Sequence, residues 1–104
     1  MPLERVREIA INESGQLFLA PEASSPMYPF IYRAGNGLRW DAARSAFTAF
    51  EPQQWSLEGL LAHIRTTVRE EFGVALDLTS ATQWVNVSLE LREKAREIFD
   101  TEGA

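Results

Sequence analysis

The single histidine of the chain, His63, is where a search for catalytic chemistry begins. An imidazole acts as a general acid or base when a nucleophile and an orienting acid lie beside it. Thr67 and Glu70 would lie one or two turns further along the same helix edge, so Glu70 is a conceivable acid partner for His63. On a helical wheel that starts at Leu60, however, His63 falls at about 300°, beside the apolar stripe and outside it. We therefore predict a surface histidine without a catalytic set around it.

Other residue types that could do chemistry are absent or already have structural roles. The chain has no cysteine, which excludes a disulfide scaffold, a thiol nucleophile, a zinc finger and an iron–sulfur cluster. Ser56 and Ser88 are predicted helix caps, and no nucleophile-elbow motif surrounds any serine. The adjacent Glu70 and Glu71 diverge on a helix and do not converge on one ligand. The segment 35–37 lacks the Lys-Ser/Thr of a phosphate-binding loop. We predict no cofactor and no metal.

The aromatic residues with polar tips retain functional interest, because such side chains often lie partly wet at interfaces and pocket rims. Trp55 is explained as one half of a hydrophobic staple with Leu60. The candidate binding surface consists of Tyr28, Tyr32, Arg33, Trp40, Trp84 and His63. The alternative is that the aromatic residues are all core and flanking residues of a small domain.

The charge balance bears on the partners of the protein. Ten Lys and Arg residues against fifteen Asp and Glu residues give a formal charge of −5. Nucleic-acid binding needs a basic footprint, and the basic-aromatic stretch from Tyr32 to Arg44 is diluted by Asp41 and Glu51. No apolar run approaches the roughly 20 residues that span a bilayer, and the N-terminus lacks the apolar region of a secretory signal. We predict a cytoplasmic protein that binds neither nucleic acid nor membrane.

The first half of the chain predicts strands and turns. Alternating apolar residues and β-branched side chains favour strands, and Asn36–Gly37 is a strong hairpin signal. Tyr28, Phe30 and Tyr32 share one face at a period of two residues, which predicts a strand there. The predicted strands are about 4–12, 16–20, 27–33, 38–41 and 46–50. Together they predict an antiparallel β-meander of four to five short strands over about 4–50.

The second half predicts two helices around a short strand. A helix over about 56–72 begins at the cap Ser56 and ends before Gly73. Its apolar stripe consists of Leu57, Leu60, Leu61, Ile64, Val68 and Phe72. A strand over about 74–78 follows, then a linking segment, then a helix over about 88–100 capped by Ser88. The expected fold is a single α+β domain over 1–104, with two helices packed on one face of an antiparallel sheet.

Three segments carry a resemblance to a known group of proteins. They are the run from Tyr32 to Asp41, the tripeptide Trp55-Ser56-Leu57 and the tripeptide Thr82-Gln83-Trp84. In these segments the chain resembles small uncharacterised bacterial proteins, including ones carried as mobile integron gene cassettes. The resemblance implies a bacterial, single-domain, cytoplasmic protein with an accessory role, and it transfers no catalytic residue.

Three functional hypotheses follow. The leading one is a non-enzymatic binding or interaction module that forms a homo-oligomer, a dimer by the commonest symmetry. The second is a small-molecule-binding protein or enzyme with its site near Tyr32, Trp40 and His63. The third is an acidic inhibitor, like an immunity protein or antitoxin, with an acidic face built from Glu90, Glu93, Glu97 and Asp100.

Overall fold

A computed structural model describes residues 2–23, 25–35, 37–51 and 54–100. The strands are β1 (Leu3–Ile11), β2 (Leu17–Pro21), β3 (Leu38–Asp41), β4 (Ala46–Ala49), β5 (Ala75–Asp77) and β6 (Gln83–Val85), and the α-helices are α1 (Leu57–Phe72) and α2 (Leu89–Asp100). A 3-10 helix, Tyr28–Ala34, lies between β2 and β3. The expected mixture of helices and strands is confirmed, as an α+β fold.

The strands form one six-stranded sheet in the order β3-β4-β2-β1, with β5 and β6 both on the far side of β1. The β1–β2, β2–β4 and β3–β4 pairs are antiparallel. β5 and β6 are parallel to β1, so the expectation of a purely antiparallel sheet is wrong. Helix α1 returns the chain to the end of the sheet from which β1 starts, and a crossover of this kind produces parallel pairing. The simple meander order is also wrong, because β4 lies between β2 and β3.

The nine-residue strand β1 carries two short strands along one edge. Leu3 pairs with Ala75 in β5, and Ile9 pairs with Trp84 in β6. Between these pairs the ladder to β2 shifts register, as in a β-bulge. There the Thr82 hydroxyl donates to the Val6 carbonyl at 2.7 Å. A side chain thus satisfies the backbone acceptor that the gap between β5 and β6 leaves open.

Helix α1 begins and ends at the predicted residues. The Ser56 hydroxyl accepts a hydrogen bond from the Gly59 N–H at 3.1 Å, which caps the first turn. Gly73 takes a left-handed φ of 68° and its N–H donates to the Arg69 carbonyl, which ends the helix. Ser88 caps α2 in the same way as Ser56, by accepting from the Leu91 N–H at 3.1 Å. These caps are confirmed because they depend only on neighbouring residues.

The strand predicted over Met27–Arg33 is wrong, since this segment is the 3-10 helix. Tyr28 and Ile31 are buried at 3% and 1% exposure, whereas Phe30 and Tyr32 are 40% and 51% exposed. A spacing of three residues is the period of a 3-10 helix, and Pro29 suits its first turn because no N–H is needed there. The predicted Asn36–Gly37 hairpin falls partly on Asn36, which lies outside the described residues. The segment 83–85, expected to be a linker, is β6.

The main core lies between one face of the sheet and the helices. Its buried side chains come from β1, β2, β3, β4 and β5, from the 3-10 helix and from both α-helices. A second, small cluster of Phe18, Ala20 and Ala46 lies on the other face of the sheet and contains no helical residue. The Arg44 guanidinium lies 4.4 Å from the centroid of the Phe18 ring there. Within the described ranges, neither α-helix has the length and apolar character needed to cross a bilayer.

Candidate functional site

Tyr28, the first member of the predicted binding surface, is a core residue. Its hydroxyl donates to Glu4 Oε1 at 2.5 Å, and Glu4 Oε2 accepts from the Ala23 N–H at 3.1 Å. Burial raises the pKa of the Tyr28 phenol, and the hydrogen bond and negative charge of Glu4 raise this pKa further. The pair ties the 3-10 helix to β1, so the placement of Tyr28 on a binding surface is wrong.

Trp40 packs against the core from strand β3. Its ring centroid lies 5.7 Å from that of Tyr28 and 4.9 Å from that of Phe47, where the contact is edge to face. Phe72 at the end of α1 lies 5.3 Å from Tyr28 by the same measure. Offset and edge-to-face pairs of this kind stabilise beyond their buried area. Trp40 is half-buried, so only part of its indole is open to a partner.

Tyr32 and Arg33 lie on the exposed side of the 3-10 helix. The Arg33 guanidinium is 4.5 Å from the centroid of the Phe30 ring and 6.0 Å from that of Tyr32, which is the geometry of cation–π contacts. Met27 precedes the helix and is also exposed. This side of the 3-10 helix is therefore an apolar surface with one positive charge on it.

His63 packs beside Trp55, which itself packs against the core. It is half-buried, and its ring stacks on Trp55 with centroids 4.5 Å apart and planes 20° apart. Trp55 in turn reaches towards the start of β3, where its Cζ2 atom is 4.0 Å from the place that a Gly37 side chain would occupy. His63 and Trp55 thus pack as a pair beside the segment that leads into β3.

Trp84 lies at the opposite edge of the sheet from Trp40. β6 and β3 are separated by four strand spacings, or about 19 Å at the usual distance between strands. The Arg92 guanidinium from α2 lies 5.1 Å from the centroid of the Trp84 ring. The six predicted residues therefore do not form one surface. Tyr32, Arg33 and the outer part of Trp40 lie around β3, His63 lies near the start of β3, and Trp84 lies elsewhere.

The position of β3 at the end of the strand order is the main feature that brings the first group together. β3 pairs with β4 alone in the described part of the sheet. The Phe50 N–H donates to the Gly37 carbonyl at 2.9 Å, so by the alternation of an antiparallel pair Gly37, Arg39 and Asp41 direct their backbone groups towards β4. Leu38 and Trp40 consequently direct theirs away from the sheet. Leu38 is 1% exposed, so its outward groups are covered, and a second strand can reach this edge only from the half-exposed Trp40 onwards.

The side chains of β3 add charge of both signs to this edge. Arg39 and Asp41 lie on the face opposite to Leu38 and Trp40, as alternation requires. Their ion pair is long, with 3.9 Å between Arg39 Nη1 and Asp41 Oδ2. Asp41 Oδ1 accepts hydrogen bonds from the N–H groups of Ala43 and Arg44 in the following turn, at 3.0 and 3.1 Å. The Asp41 carboxylate is thus held in place, while the Arg39 guanidinium is only loosely engaged.

Four clefts in the described part of the surface lie away from the residues of the second hypothesis. None of these four is lined by Tyr32, Trp40 or His63. One, of about 790 Å³, lies beside the start of β1 and is lined by Glu4, Arg5, Glu22 and Asp77 among others. A smaller one, of about 370 Å³, lies beside Trp84. The described residues contain no group of three His, Asp or Glu side chains placed to hold a metal ion.

The acidic face of the third hypothesis is partly neutralised. Lys94 Nζ lies 3.4 Å from Glu90 Oε1 and 3.6 Å from Glu58 Oε2. These carboxylates raise the pKa of Lys94, Glu58 having the largest effect. Glu97 also has a partner, and the side chain of Asp100 lies outside the described residues. The predicted face is therefore less acidic than its sequence suggests.

Sequence reasoning missed two features, one buried and one at the surface. Glu4 was not singled out, although it stands two residues before the apolar Val6 on a strand and so belongs to the buried face. Arg92 and Arg96 were not singled out either, although their spacing of four residues places them on one side of α2. In both cases a charged residue lies on or beside the apolar face of its own strand or helix. Its importance is recognised only when the element that packs against this face is known.

Comparison with known proteins gives a family match over most of the chain. Residues 4–82 match the family model of the integron cassette protein Hfx_Cass5. A solved structure of the integron cassette protein Hfx_Cass5, from the mobile metagenome of the North West Arm sewage outfall, is 31% identical in sequence. The alignment covers 96% of this chain and 98% of that one, with a TM-score of 0.46. No curated protein matches the sequence.

Proposed function

The chain belongs to the Hfx_Cass5 family of integron cassette proteins, and we propose that it is a non-enzymatic interaction module that acts as a homodimer. The two copies pair through strand β3, antiparallel and about a two-fold axis. The observation that supports the proposal is the outer edge of β3, which pairs with β4 alone and is half-exposed from Arg39 to Asp41, with exposed apolar residues of the 3-10 helix beside it.

The register of the pair follows from the backbone. Leu38 and Trp40 direct their N–H and C=O groups outwards, so an antiparallel two-fold pair can be centred on Trp40. The two Trp40 residues then exchange backbone hydrogen bonds with each other. The neighbouring position sets Arg39 of one copy directly opposite the partner's Asp41, and the symmetry repeats this contact. Opposite charges at directly facing positions stabilise a strand pair, and like charges destabilise it.

The alternative centre for the strand pair is less favourable. If the two-fold axis passes through Arg39, the backbone groups of Leu38 and Trp40 still pair. The two Arg39 side chains then face each other, and this like-charge contact opposes association. Charge complementarity therefore selects the pairing centred on Trp40.

The apolar side chains near β3 supply area that a four-residue strand lacks. Met27, Phe30 and Tyr32 are exposed on the 3-10 helix, and Phe50, which is opposite Gly37, is 58% exposed. Four half-exposed side chains of this size offer on the order of 400 Å² in each copy. A standard interface buries roughly 800 Å² in each partner, so these side chains account for about half of the area that a stable dimer needs. The β3 backbone and the residues that flank it would supply the remainder.

A charge-reversal series tests the pairing. In the variant R39D an aspartate faces the partner's Asp41, and in D41R an arginine faces the partner's Arg39. Each single variant should shift the protein towards monomer in sedimentation equilibrium at micromolar concentration. The double variant R39D/D41R restores opposite charges at both contacts and should recover the dimer. R96D makes the same charge change on α2, far from β3, and should leave the dimer intact.

Several outcomes would contradict the proposal. Modest dimers have dissociation constants on the order of 1 to 100 μM. A wild-type protein that sediments as a monomer throughout this range of concentrations would overturn the proposal. So would single variants that dimerise as tightly as the wild type. Loss of the dimer in R96D to the same extent as in R39D would show that net charge, and not the β3 contact, controls association. Circular dichroism of each variant establishes that it is folded.

A further inference from the structure

The cleft beside Trp84 differs in charge from the rest of the molecule. It has a volume of about 370 Å³ and is lined by Leu78, Thr79, Ser80, Trp84, Arg92 and Arg96. Two of these side chains carry a positive charge and none carries a negative charge, in a chain with a formal charge of −5. A volume of this size lies at the lower end of the range of small-molecule sites. The cleft is suited to a small anion.

The two arginines stand one helical turn apart on α2. Like charges at this spacing oppose helix formation, and nothing with a negative charge lines the cleft to offset them. Arginine presents a planar fork of N–H donors that matches the oxygens of a phosphate or carboxylate. Arg92 and Arg96 together therefore present two such forks to the same cavity.

Arg92 is held in position before any ligand arrives. Its guanidinium lies 5.1 Å from the centroid of the Trp84 ring, and the side chain is half-buried. Its Nε atom is buried and has no hydrogen-bond partner among the described residues. A ligand oxygen cannot reach this covered atom, so Arg92 would donate to a ligand through its terminal Nη groups. Stacking on Trp84 also reduces the side-chain freedom that binding would otherwise remove.

The cleft is also lined by Thr79 and Ser80, which belong to a loop held by hydrogen bonds. The Thr79 N–H donates to Thr82 Oγ1 at 3.0 Å, and the Thr82 hydroxyl is anchored to the Val6 carbonyl of β1. The Thr79 Oγ1 atom accepts from the Ala81 N–H at 3.1 Å, which leaves its own hydroxyl hydrogen free to donate. Ser80 is exposed at the rim. The loop therefore offers two hydroxyl donors to a ligand that is bound by the arginines.

We propose that this cleft binds a phosphate group, which lies between Arg92 and Arg96 and within reach of the Thr79 and Ser80 hydroxyls. The two arginines favour phosphate over carboxylate, because a dianionic phosphate balances both charges and its three oxygens can accept from both forks. The cleft lies at the β6 edge of the sheet, so this site is independent of the dimer contact at β3.

Nuclear magnetic resonance of the full chain labelled with ¹⁵N tests the proposal, with inorganic phosphate as the probe. Phosphate should shift the Arg92 Nε–H and Trp84 Nε1–H signals in a saturable way, at constant ionic strength set with chloride. Acetate under the same conditions should bind at least about tenfold more weakly, a free-energy difference of about 1.4 kcal/mol. The Trp40 and Trp55 indole signals should remain in place.

Variants identify the residues responsible. R96Q, which changes an exposed side chain, should weaken phosphate binding by about tenfold or more, and R92Q should do the same if it folds. The matched control is R44Q, because Arg44 also lies over an aromatic ring but lines a different cleft that contains Glu13. R44Q should bind phosphate as the wild type does.

Three results would overturn the proposal. They are shifts that do not saturate, equal affinity for acetate and phosphate, and unchanged affinity in R96Q. The same titration on the variant R39D separates this site from the dimer. If R39D loses the dimer and still binds phosphate, the phosphate site does not depend on the dimer. If the wild type forms the dimer and does not bind phosphate, the phosphate proposal fails and the dimer proposal is unaffected.

Discussion

Tyr28 and Glu4 form a buried hydrogen bond that joins the 3-10 helix to the first strand of the sheet, with 2.5 Å between the phenol oxygen and Glu4 Oε1. The second carboxylate oxygen of Glu4 accepts from the Ala23 backbone, so both oxygens are engaged. A buried polar pair of this kind stabilises only while both partners are present, because a single removal leaves the other group unsatisfied. Its contribution can be measured by substitution and by pH.

We predict that the stability of the protein decreases above pH 10 partly through Tyr28. Burial and Glu4 raise the pKa of this phenol in the folded state, whereas in the unfolded chain it has its ordinary value of 10.0. The contribution is therefore fully present below pH 10 and is lost as pH rises above it, at up to about 1.4 kcal/mol per pH unit. Urea unfolding of the wild type and Y28F between pH 8 and about 11 measures this. Y28F should be less stable at pH 8 and should have a shallower decrease above pH 10.

A second prediction concerns the hydroxyl that fills the gap between β5 and β6. T82V removes the donor to the Val6 carbonyl and the acceptor of the Thr79 N–H while it preserves the shape of the side chain. The free energy of unfolding should decrease by about 2 kcal/mol, because two backbone groups lose their partner. S80A, an exposed change in the same loop, should alter it by less than about 0.5 kcal/mol. Equal effects of the two variants would show that the Thr82 bonds contribute nothing beyond loop composition.

Phe47 in β4 and Phe50, which follows this strand, should differ sharply in their effect on stability. Phe47 is fully buried and touches Tyr28 and Trp40, whereas Phe50 is exposed. F47A should lower the free energy of unfolding by about 3–5 kcal/mol, through lost burial and a cavity. F50A should change it by less than about 0.5 kcal/mol. Thermal and urea unfolding of both variants, at a concentration where each is monomeric, provides the comparison.

F50A also tests the proposed dimer without a change in charge. Phe50 lies opposite Gly37 at the start of β3 and should be covered by the second copy. Its truncation should raise the dissociation constant of the dimer about fivefold, which corresponds to about 1 kcal/mol at an interface. V85A removes exposed apolar surface at the opposite edge of the sheet and serves as the control. Identical sedimentation of F50A and the wild type would exclude Phe50 from the interface.

The sequence predicted the elements that depend on neighbouring residues. Ser56, Gly73 and Ser88 were placed as the caps of α1 and α2, because capping needs only the residues within one turn. The segment around Tyr28 was misjudged for an instructive reason. The aromatic residues at positions 28, 30 and 32 have the two-residue spacing that is typical of a strand. The residues that the segment buries are Tyr28 and Ile31, and no motif in the sequence distinguishes their three-residue spacing.

The candidate sites were harder to predict than the helices because distant segments build them. Trp84 was singled out, but its neighbours Arg92 and Arg96 become relevant only when α2 packs beside β6. Trp40 was singled out for its polar aromatic ring, whereas the proposed role of β3 comes from its position at the edge of the sheet. Strand order depends on which segments meet across the whole chain, and the parallel pairing of β5 and β6 with β1 could not be deduced from local alternation.

The attachment of β5 and β6 to β1 has a consequence for how the chain acquires its structure during synthesis. Leu3 pairs with Ala75 and Ile9 pairs with Trp84, so the first strand finds its second set of neighbours only after most of the chain has been made. Pairings between such distant residues close long loops and slow folding. Until then one edge of β1 is unpaired, and during this time it can pair with a strand of another chain. In the folded protein β5, β6 and the Thr82 side chain together cover that edge.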